Sequence, residues 1–221
     1  MDPVEQRRHF EALRREYEAM ALDVDDLDPE PMRQLRTWLD EWADVAPNEP
    51  GAVILATAAE GGGASARNVL LRGIDDRGLT FFTSYESRKG RELAADPHAT
   101  LLFSWVPLLR QVHVAGEVHQ VDRAESEAYF ATRPRGSQLA AWASAQSSVL
   151  SDRATLEERF AAVEQRYAGA DVPCPPHWGG YRLVPAAMEL WQGRPNRMHD
   201  RLRYVRRDDA SGGWRVERLS P

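Results

Sequence analysis

The sequence is poor in the residues that most often announce a chemistry. One cysteine, Cys174, in a chain of 221 residues rules out an intrachain disulfide and a cysteine-built zinc site, and nothing about it implies secretion. One lysine, Lys89, stands against 27 arginines. That bias reads as genome composition, so arginine in general is weak evidence and the lone lysine is conspicuous. The longest apolar stretch, around Leu101 to Leu109, is short and interrupted, far from the length that spans a bilayer. The opening residues MDPVEQRRHF lack an apolar signal region, and a soluble cytoplasmic protein is expected. A net charge of −6 argues against nucleic acid or an anionic membrane as the main partner. There is no Walker loop and no G-x-S-x-G. His113 and His119 lie six apart without an obvious third ligand, so no metal is expected.

What is present suits one sizeable domain with a helical extension, divided at residues 1–46 and 47–221, since 43% hydrophobic residues can fill a real core. Apolar residues Phe10, Leu13, Tyr17 and Met20 recur at helical spacing and predict a helix over Val4 to Met20. Asp28 as a cap and Pro29 at the first position predict a second helix, buried through Met32, Leu35, Trp38, Leu39 and Trp42 and ending near Pro47. From Gly51 the pattern becomes strand-like: Ala52 to Ala58, Ala66 to Ile74, Leu79 to Ser84, Thr100 to Val106, Gln111 to Val121, Gly180 to Val184, Met188 to Gln192, Leu202 to Arg206 and Trp214 to Leu219, the last two joined by an Asp-Ala-Ser-Gly-Gly turn. Helices are expected at Arg88 to Ala95, capped by Ser87, at Ala124 to Ala131 behind a capping box of Asp122 and Glu125, and from Asp152 to about Tyr167, with a helical turn at Ser137 to Ala143. Strands that follow one another directly predict an α+β fold around a closed antiparallel barrel and exclude a doubly wound sheet.

Three clusters carry candidate chemistry. Thr83 and Ser84 followed by Ser87, Arg88, Lys89 and Gly90 at a helix start combine hydroxyls, backbone N–H groups and two cations, as a phosphate seat requires; capping alone also accounts for Ser87. Arg67 and Arg72 are five apart, so a regular strand turns them to opposite faces. Tyr129, Arg133 and Ser137 recur every four residues and form a second phosphate grip, although Pro134 interrupts the helix that would align them. Gln111, Gln146 and Ser147 offer the neutral donors and acceptors a heterocycle needs. The third cluster, WQGRPNRMHDRLRY from Trp191 to Tyr204, packs four arginines and a histidine around a turn containing Pro195. In extended backbone Arg197 and His199 share a face and grip one anion; a solvated arginine-rich hairpin is the plainer alternative, and composition favours it. With no protein nucleophile in evidence, two phosphate seats suggest that a bound cofactor performs the reaction.

The motifs RNVLLRG, FFTSYESRKG, RQV, YFATRPRGSQ, AQSS, WGGY and WQGRPNRMHDRLRY, in that order from Arg67 to Tyr204, resemble those of the pyridoxine/pyridoxamine 5′-phosphate oxidases, and the likeness runs from about Arg14 to Pro221. The resemblance implies an antiparallel Greek-key split β-barrel with flanking helices, a homodimer with FMN at the subunit interface, and oxidation of pyridoxamine or pyridoxine 5′-phosphate to pyridoxal 5′-phosphate, with O2 as acceptor and H2O2 as product. It assigns Arg67, Thr83, Arg88 and Lys89 to the FMN phosphate, and Val69, Leu70, Arg72 and Phe82 to the cofactor's surroundings. Gln111, Gln146, Ser147, Trp191 and Arg201 would meet the rest of the flavin. The substrate phosphate would lie on Arg72, Tyr129, Arg133 and Ser137, its ring under the catalytic pair Arg197 and His199, and Arg14 and Tyr17 would form a lid. Two positions depart from the family pattern, Arg72 replacing a lysine and Phe82 a tyrosine. A phenazine-type oxidase of secondary metabolism, and a non-catalytic binder of flavin or pyridoxal phosphate, are the alternatives.

Overall fold

The computed structural model describes residues 21–46, 48–59, 61–207 and 213–221. The helix expected over Val4 to Met20, with Arg14 and Tyr17, lies outside them, as do Pro47 and most of the last expected turn. The described elements are β1 (Ala52–Ala58), β2 (Ala64–Asp75), β3 (Gly78–Ser84), β4 (His98–Trp105), β5 (Arg110–Gln120), β6 (Trp178–Gln192), β7 (Asp200–Arg206) and β8 (Trp214–Arg218), with helices α1 (Pro31–Val45), α2 (Arg88–Ala95), α3 (Arg123–Thr132), α4 (Arg135–Ala143) and α5 (Arg153–Arg166). All strand pairings are antiparallel.

Strands β1 to β6 close into a barrel, because β3 pairs with β6 as well as β2, and β1 bridges to β4; β7 and β8 continue the sheet outward from β6. Closure follows from alternation. Val53 and Leu55 on β1, Leu79 and Phe81 on β3, and Leu101 and Phe103 on β4 all point into one core and are almost wholly buried, each such side chain contributing about 1.5–3 kcal/mol. Helix α1 seals one end with Leu35 and Trp38, and Trp38 and Trp42 pack on Trp105 at 6.4 and 6.1 Å between ring centroids. A second, smaller core forms under α3 and α4 from Phe130, Leu139, Val172 and Trp178.

Four local expectations are corrected. Helix α1 begins at Pro31 with Glu30 as its N-cap. Two prolines compete for the first helical position, and Asp28 instead accepts from the Glu30 N–H and the Arg33 Nε from outside the helix. The capping box at Asp122 does not form, because Glu125 is drawn to Arg182 at 2.7 Å. The two strands expected between Gly180 and Gln192 are one strand, β6, running past Pro185 through a bulge at which Ala186 has no partner on β5; a bulge absorbs a proline that a regular ladder would exclude. Finally, Arg197 and His199 do not lie on a strand. Pro195–Arg197 is a single 3-10 turn in which Asn196 and Arg197 take left-handed φ of 55° and 60°, so alternation along a strand cannot relate the two side chains.

Candidate active site

Strands β2 and β3, the first turn of α2 and the bend between α3 and α4 enclose a basin of about 600 Å³. Arg72 reaches it because Arg72 is the extra residue of a β-bulge, Leu71 pairing with Phe81 and Gly73 with Thr80; such bulges re-aim a side chain. Its nearest acid is Glu49, 3.9 Å away, itself held in a left-handed conformation with φ of 55°. Tyr129, Arg133 and Ser137 also line the basin. The helix does break between Thr132 and Arg135, yet the bend keeps all three side chains on one wall.

Arg133 is the most telling of these. Its guanidinium lies over Trp178 at 4.6 Å and Phe130 at 5.5 Å from the ring centroids, and its Nη1 is buried with no hydrogen-bond partner among the described residues. Burial, and to a smaller extent the neighbouring Arg72, pull its pKa below the ordinary guanidinium value. A buried donor without an acceptor costs about 1–3 kcal/mol, more when charged, and an anion in the basin would relieve that cost. Phe82 lies parallel to Tyr129 at 3.9 Å and to Trp178 at 5.6 Å, so the position where the family pattern has tyrosine holds the middle ring of an apolar stack. Gly180 makes room for it, since a Cβ there would collide with the Phe82 ring.

The flavin-phosphate candidates divide. Lys89, Thr83 and Gln146 meet in the basin: Lys89 Nζ donates to Gln146 Oε1 at 2.8 Å and to Thr83 Oγ1 at 3.2 Å, and Thr83 Oγ1 donates to Gln146 at 3.0 Å. Burial, then the charge of Arg67, lowers the Lys89 pKa, and among the described residues its ammonium bonds only neutral oxygens. A half-buried cation so placed, together with hydroxyl and amide groups, is a donor set that suits a phosphate. Val69 and Leu70 line the same space; Ser147 is exposed beside Gln146 with φ of 70° and does not line it. Arg67 and Arg88 do not line it either. They converge on Glu92, which accepts from Arg67 Nη2 at 2.8 Å, Arg88 Nε at 2.8 Å and Thr57 Oγ1 at 2.6 Å. Burial works against the Glu92 carboxylate, but these bonds outweigh it and hold its pKa down at about 2. Arg67 and Arg72 do go to different surroundings, as their spacing leads one to expect, but the bulge at Arg72 makes β2 irregular there, so alternation along a regular strand is not the cause.

The remaining candidates form a row across the sheet: Gln111 pairs with Trp191, and Trp191 with Arg201. Arg201 Nε donates to Glu189 at 2.7 Å, and Nη1 to the Ser220 carbonyl at 2.9 Å. His199 sits against Trp191 at 4.6 Å between centroids. Its Nδ1 accepts from the Arg194 N–H at 3.1 Å, which leaves the proton of the neutral ring on Nε2. Arg197 is exposed, and none of this row lines the basin. Sequence reasoning missed Glu92, Glu49 and the Trp178 and Phe130 platform. Only Glu92 had a local signal, its i,i+4 spacing from Arg88 on a helix. Among the described residues no helix is long and apolar enough to cross a membrane.

Both groups lie within stretches that are similar to known proteins. Residues 39–167 match the family model described as pyridoxamine 5′-phosphate oxidase, and residues 178–221 the one described as the pyridoxine 5′-phosphate oxidase C-terminal dimerisation region. The chain is 54% identical over 209 residues to pyridoxine/pyridoxamine 5′-phosphate oxidase 1 of Ralstonia nicotianae, covering 95% of this chain and 97% of that protein. It is 52% identical over 210 residues to the pyridoxine/pyridoxamine 5′-phosphate oxidase of Salinibacter ruber, with the same coverage. Among solved structures it is similar to PhzG of Burkholderia lata 383, crystallised with tetrahydrophenazine-1-carboxylic acid, at 36% identity and a TM-score of 0.83 over 93% of this chain and 100% of that one. An FMN-binding protein of Nostoc punctiforme, 17% identical with a TM-score of 0.67, shares the split-barrel fold. A barrel of this topology, carrying both sets of motif residues and matched over nearly its whole length, belongs to the pyridoxamine 5′-phosphate oxidase family, whose members are oxidoreductases.

Proposed function

We propose that the protein is an FMN-dependent oxidase that converts pyridoxamine 5′-phosphate and pyridoxine 5′-phosphate to pyridoxal 5′-phosphate, with O2 as electron acceptor and H2O2 as product. The observation that carries the substrate is the unpartnered Nη1 of Arg133 in a basin it shares with Arg72, Tyr129 and Ser137. Two guanidiniums, a phenol and a hydroxyl match a phosphate monoester in charge and in donor number.

Lys89, Thr83 and Gln146 would hold the FMN phosphate end, and Gln111, Trp191 and Arg201 would hold its ring. When bound, FMN would supply the two-electron oxidation of the substrate at C4′, with O2 as the final electron acceptor. The chain's own part is binding and orientation. The phosphate grip would anchor one end of the substrate, and the exposed Arg197 together with His199, whose Nδ1 accepts from the Arg194 N–H, would cover the substrate ring. Anchoring a reactant at both ends is worth several orders of magnitude in rate through orientation alone. Because none of the row at Trp191 lines the basin, the reading puts the flavin between two copies. The C-terminal match to a dimerisation region supports that arrangement.

A second reading has its own support. The ligand of the similar PhzG structure carries a carboxylate, and the basin's cations would accept that anion too. One experiment separates the two. FMN-loaded protein is mixed anaerobically with pyridoxamine 5′-phosphate, with pyridoxine 5′-phosphate and with unphosphorylated pyridoxamine, and then aerated. Bleaching of the flavin absorbance by the phosphorylated vitamers, followed by pyridoxal 5′-phosphate and peroxide on aeration, is the expected result. No bleaching by either phosphate ester would sink the proposal and favour the phenazine-type alternative.

A further inference from the structure

Arg133 is aimed by aromatic rings. Its Nη1 has no hydrogen-bond partner among the described residues, and its guanidinium lies over Trp178 and Phe130. Trp178 also stands behind the phenol of the same grip. Tyr129 stacks on Phe82, Phe82 stacks on Trp178, and the Tyr129 and Trp178 planes differ by only 7°. One indole, 6% exposed and packed edge-on to Phe130 at 5.1 Å, therefore supports two of the side chains that line the anion end of the basin.

Trp178 opens β6, and its own place is fixed from α3. Arg123, the first residue of that helix, donates from Nη1 to the carbonyls of Trp178 at 3.0 Å and Pro175 at 2.9 Å and from Nη2 to that of Cys174, while its Nε donates to Glu127 at 2.8 Å. The Trp178 N–H turns back to the Pro175 carbonyl at 3.1 Å. A planar guanidinium with its donors in fixed directions can collect several carbonyls at once, which a lysine ammonium does not reproduce. Helix α3 is thus joined to the start of β6 at both of its ends, by Arg123 in the first turn and by Arg133, its C-cap, lying on Trp178.

We propose that Trp178 is a positioning residue of the substrate phosphate grip, holding Arg133 and, through Phe82, Tyr129 in place for an anion, and that Arg123 acts through it by fixing the strand start from which the indole projects. A guanidinium is attracted to the face of an aromatic ring, most strongly where both are desolvated, and an aliphatic side chain of similar bulk gives Arg133 no such orientation. Released from the ring, Arg133 gains rotamer freedom that an incoming phosphate has to freeze out, so the loss falls on binding and not on the later chemistry.

This role rests on the proposed substrate, but inorganic phosphate tests it independently of turnover. FMN-loaded wild type, Trp178→Phe, Trp178→Leu, Arg123→Met, Arg133→Met and the double variants that add Trp178→Leu or Arg123→Met to Arg133→Met are compared in three ways: steady-state oxidation of pyridoxamine 5′-phosphate, FMN retention on gel filtration, and the rise in melting temperature produced by inorganic phosphate. The expected result is a KM raised roughly tenfold in Trp178→Leu and about threefold in Trp178→Phe, which keeps a ring face, and in Arg123→Met, with kcat lowered by less than about threefold throughout. FMN is retained in each, neither substitution raises KM further on the Arg133→Met background, and the phosphate-induced rise in melting temperature shrinks in the same order.

A KM in Trp178→Leu within about twofold of wild type, or a loss carried by kcat alone, overturns the inference. Trp178→Phe as impaired as Trp178→Leu would reduce Trp178 to core filling, and additivity with Arg133→Met would detach it from Arg133; either overturns it as well. Wild-type KM in Arg123→Met overturns the part assigned to Arg123. Should Trp178→Leu not fold or not hold FMN, Trp178→Phe and Arg123→Met carry the comparison, with a raised KM that disappears on the Arg133→Met background expected for Arg123→Met. A wild type that oxidises no phosphorylated vitamer overturns the proposed substrate, and inorganic phosphate then decides this inference alone: stabilisation of wild type that is lost in Arg133→Met and Trp178→Leu upholds it, whereas no stabilisation, or equal stabilisation in every variant, overturns it.

Discussion

The basin and the turn after β6 carry the same kinds of side chain and hold them in opposite ways. In the basin, Arg133 is desolvated against Trp178 and Phe130 with a donor left over, and Lys89 is bonded to neutral oxygens within a half-buried pocket. At the turn, Arg197 stands in solvent on a left-handed residue, while Trp191, His199 and Arg201 are braced along the sheet. The first region holds unfavourable electrostatics that an anion bound there would relieve. The second stores little and gains its environment from whatever surface closes over it. Under the proposed function, preorganisation is built into the phosphate end of the site and deferred at the reacting end.

Substituting the two regions in parallel would break or sharpen that contrast. The largest effect is expected from Arg133→Met. Loss of a charged phosphate donor should raise KM for the phosphorylated substrate by roughly 10- to 100-fold, the equivalent of about 1.5–3 kcal/mol, while the free protein melts at the same temperature or higher because an unpartnered buried cation is gone. Steady-state kinetics and a melting curve check both halves, and a melting point several degrees lower would show that Arg133 is structural. Arg197→Met should follow, lowering kcat/KM by about tenfold with flavin retention and melting temperature unchanged; flavin loss on gel filtration would place Arg197 with the cofactor. The smallest effect is expected from Phe82→Tyr. A new hydroxyl near Lys89 should tighten FMN by about fivefold at most, or ~1 kcal/mol, and weaker binding would show that the stack on Tyr129 matters more than the hydroxyl.

Acid should also distinguish the regions. Glu92, held at about pKa 2 against an ordinary 4.5, contributes stability that is full above pH 4.5 and is lost as pH falls toward 2. Melting temperatures recorded across that window should fall less steeply in Glu92→Gln than in wild type. Parallel curves would remove Glu92 from the acid response.

Legibility in the sequence followed how local each cause was. The barrel strands were readable because alternation of Val53 and Leu55, or of Leu101 and Phe103, is imposed residue by residue. The grouping of Tyr129 with Arg133 on one basin wall was readable from helical spacing, whereas the helix start that gathers Arg88 and Lys89 did not reveal that Arg88 turns to Glu92 and only Lys89 lines the basin. Pro185 misled, since it signals a strand end and the bulge opposite Ala115 and Gly116 is a property of two strands together. Arg197 and His199 misled for the same reason, their relation being set by a left-handed turn that no alternation rule anticipates.

By itself, then, the sequence determined which stretches form most of the strands and helices and which cationic and hydroxyl side chains are present, because these depend on periodicity and on residue type. The tertiary structure alone decided which cations face the basin and which are neutralised. Arg67 and Arg88 look equivalent to Arg72 and Arg133 in the chain. They differ only because β2 and α2 bring Glu92 between the first pair, and because a bulge and a helix break turn the second pair toward open space. Charge is inherited from composition, but its availability depends on the distance to the nearest counter-ion, and that distance exists only once the chain has folded.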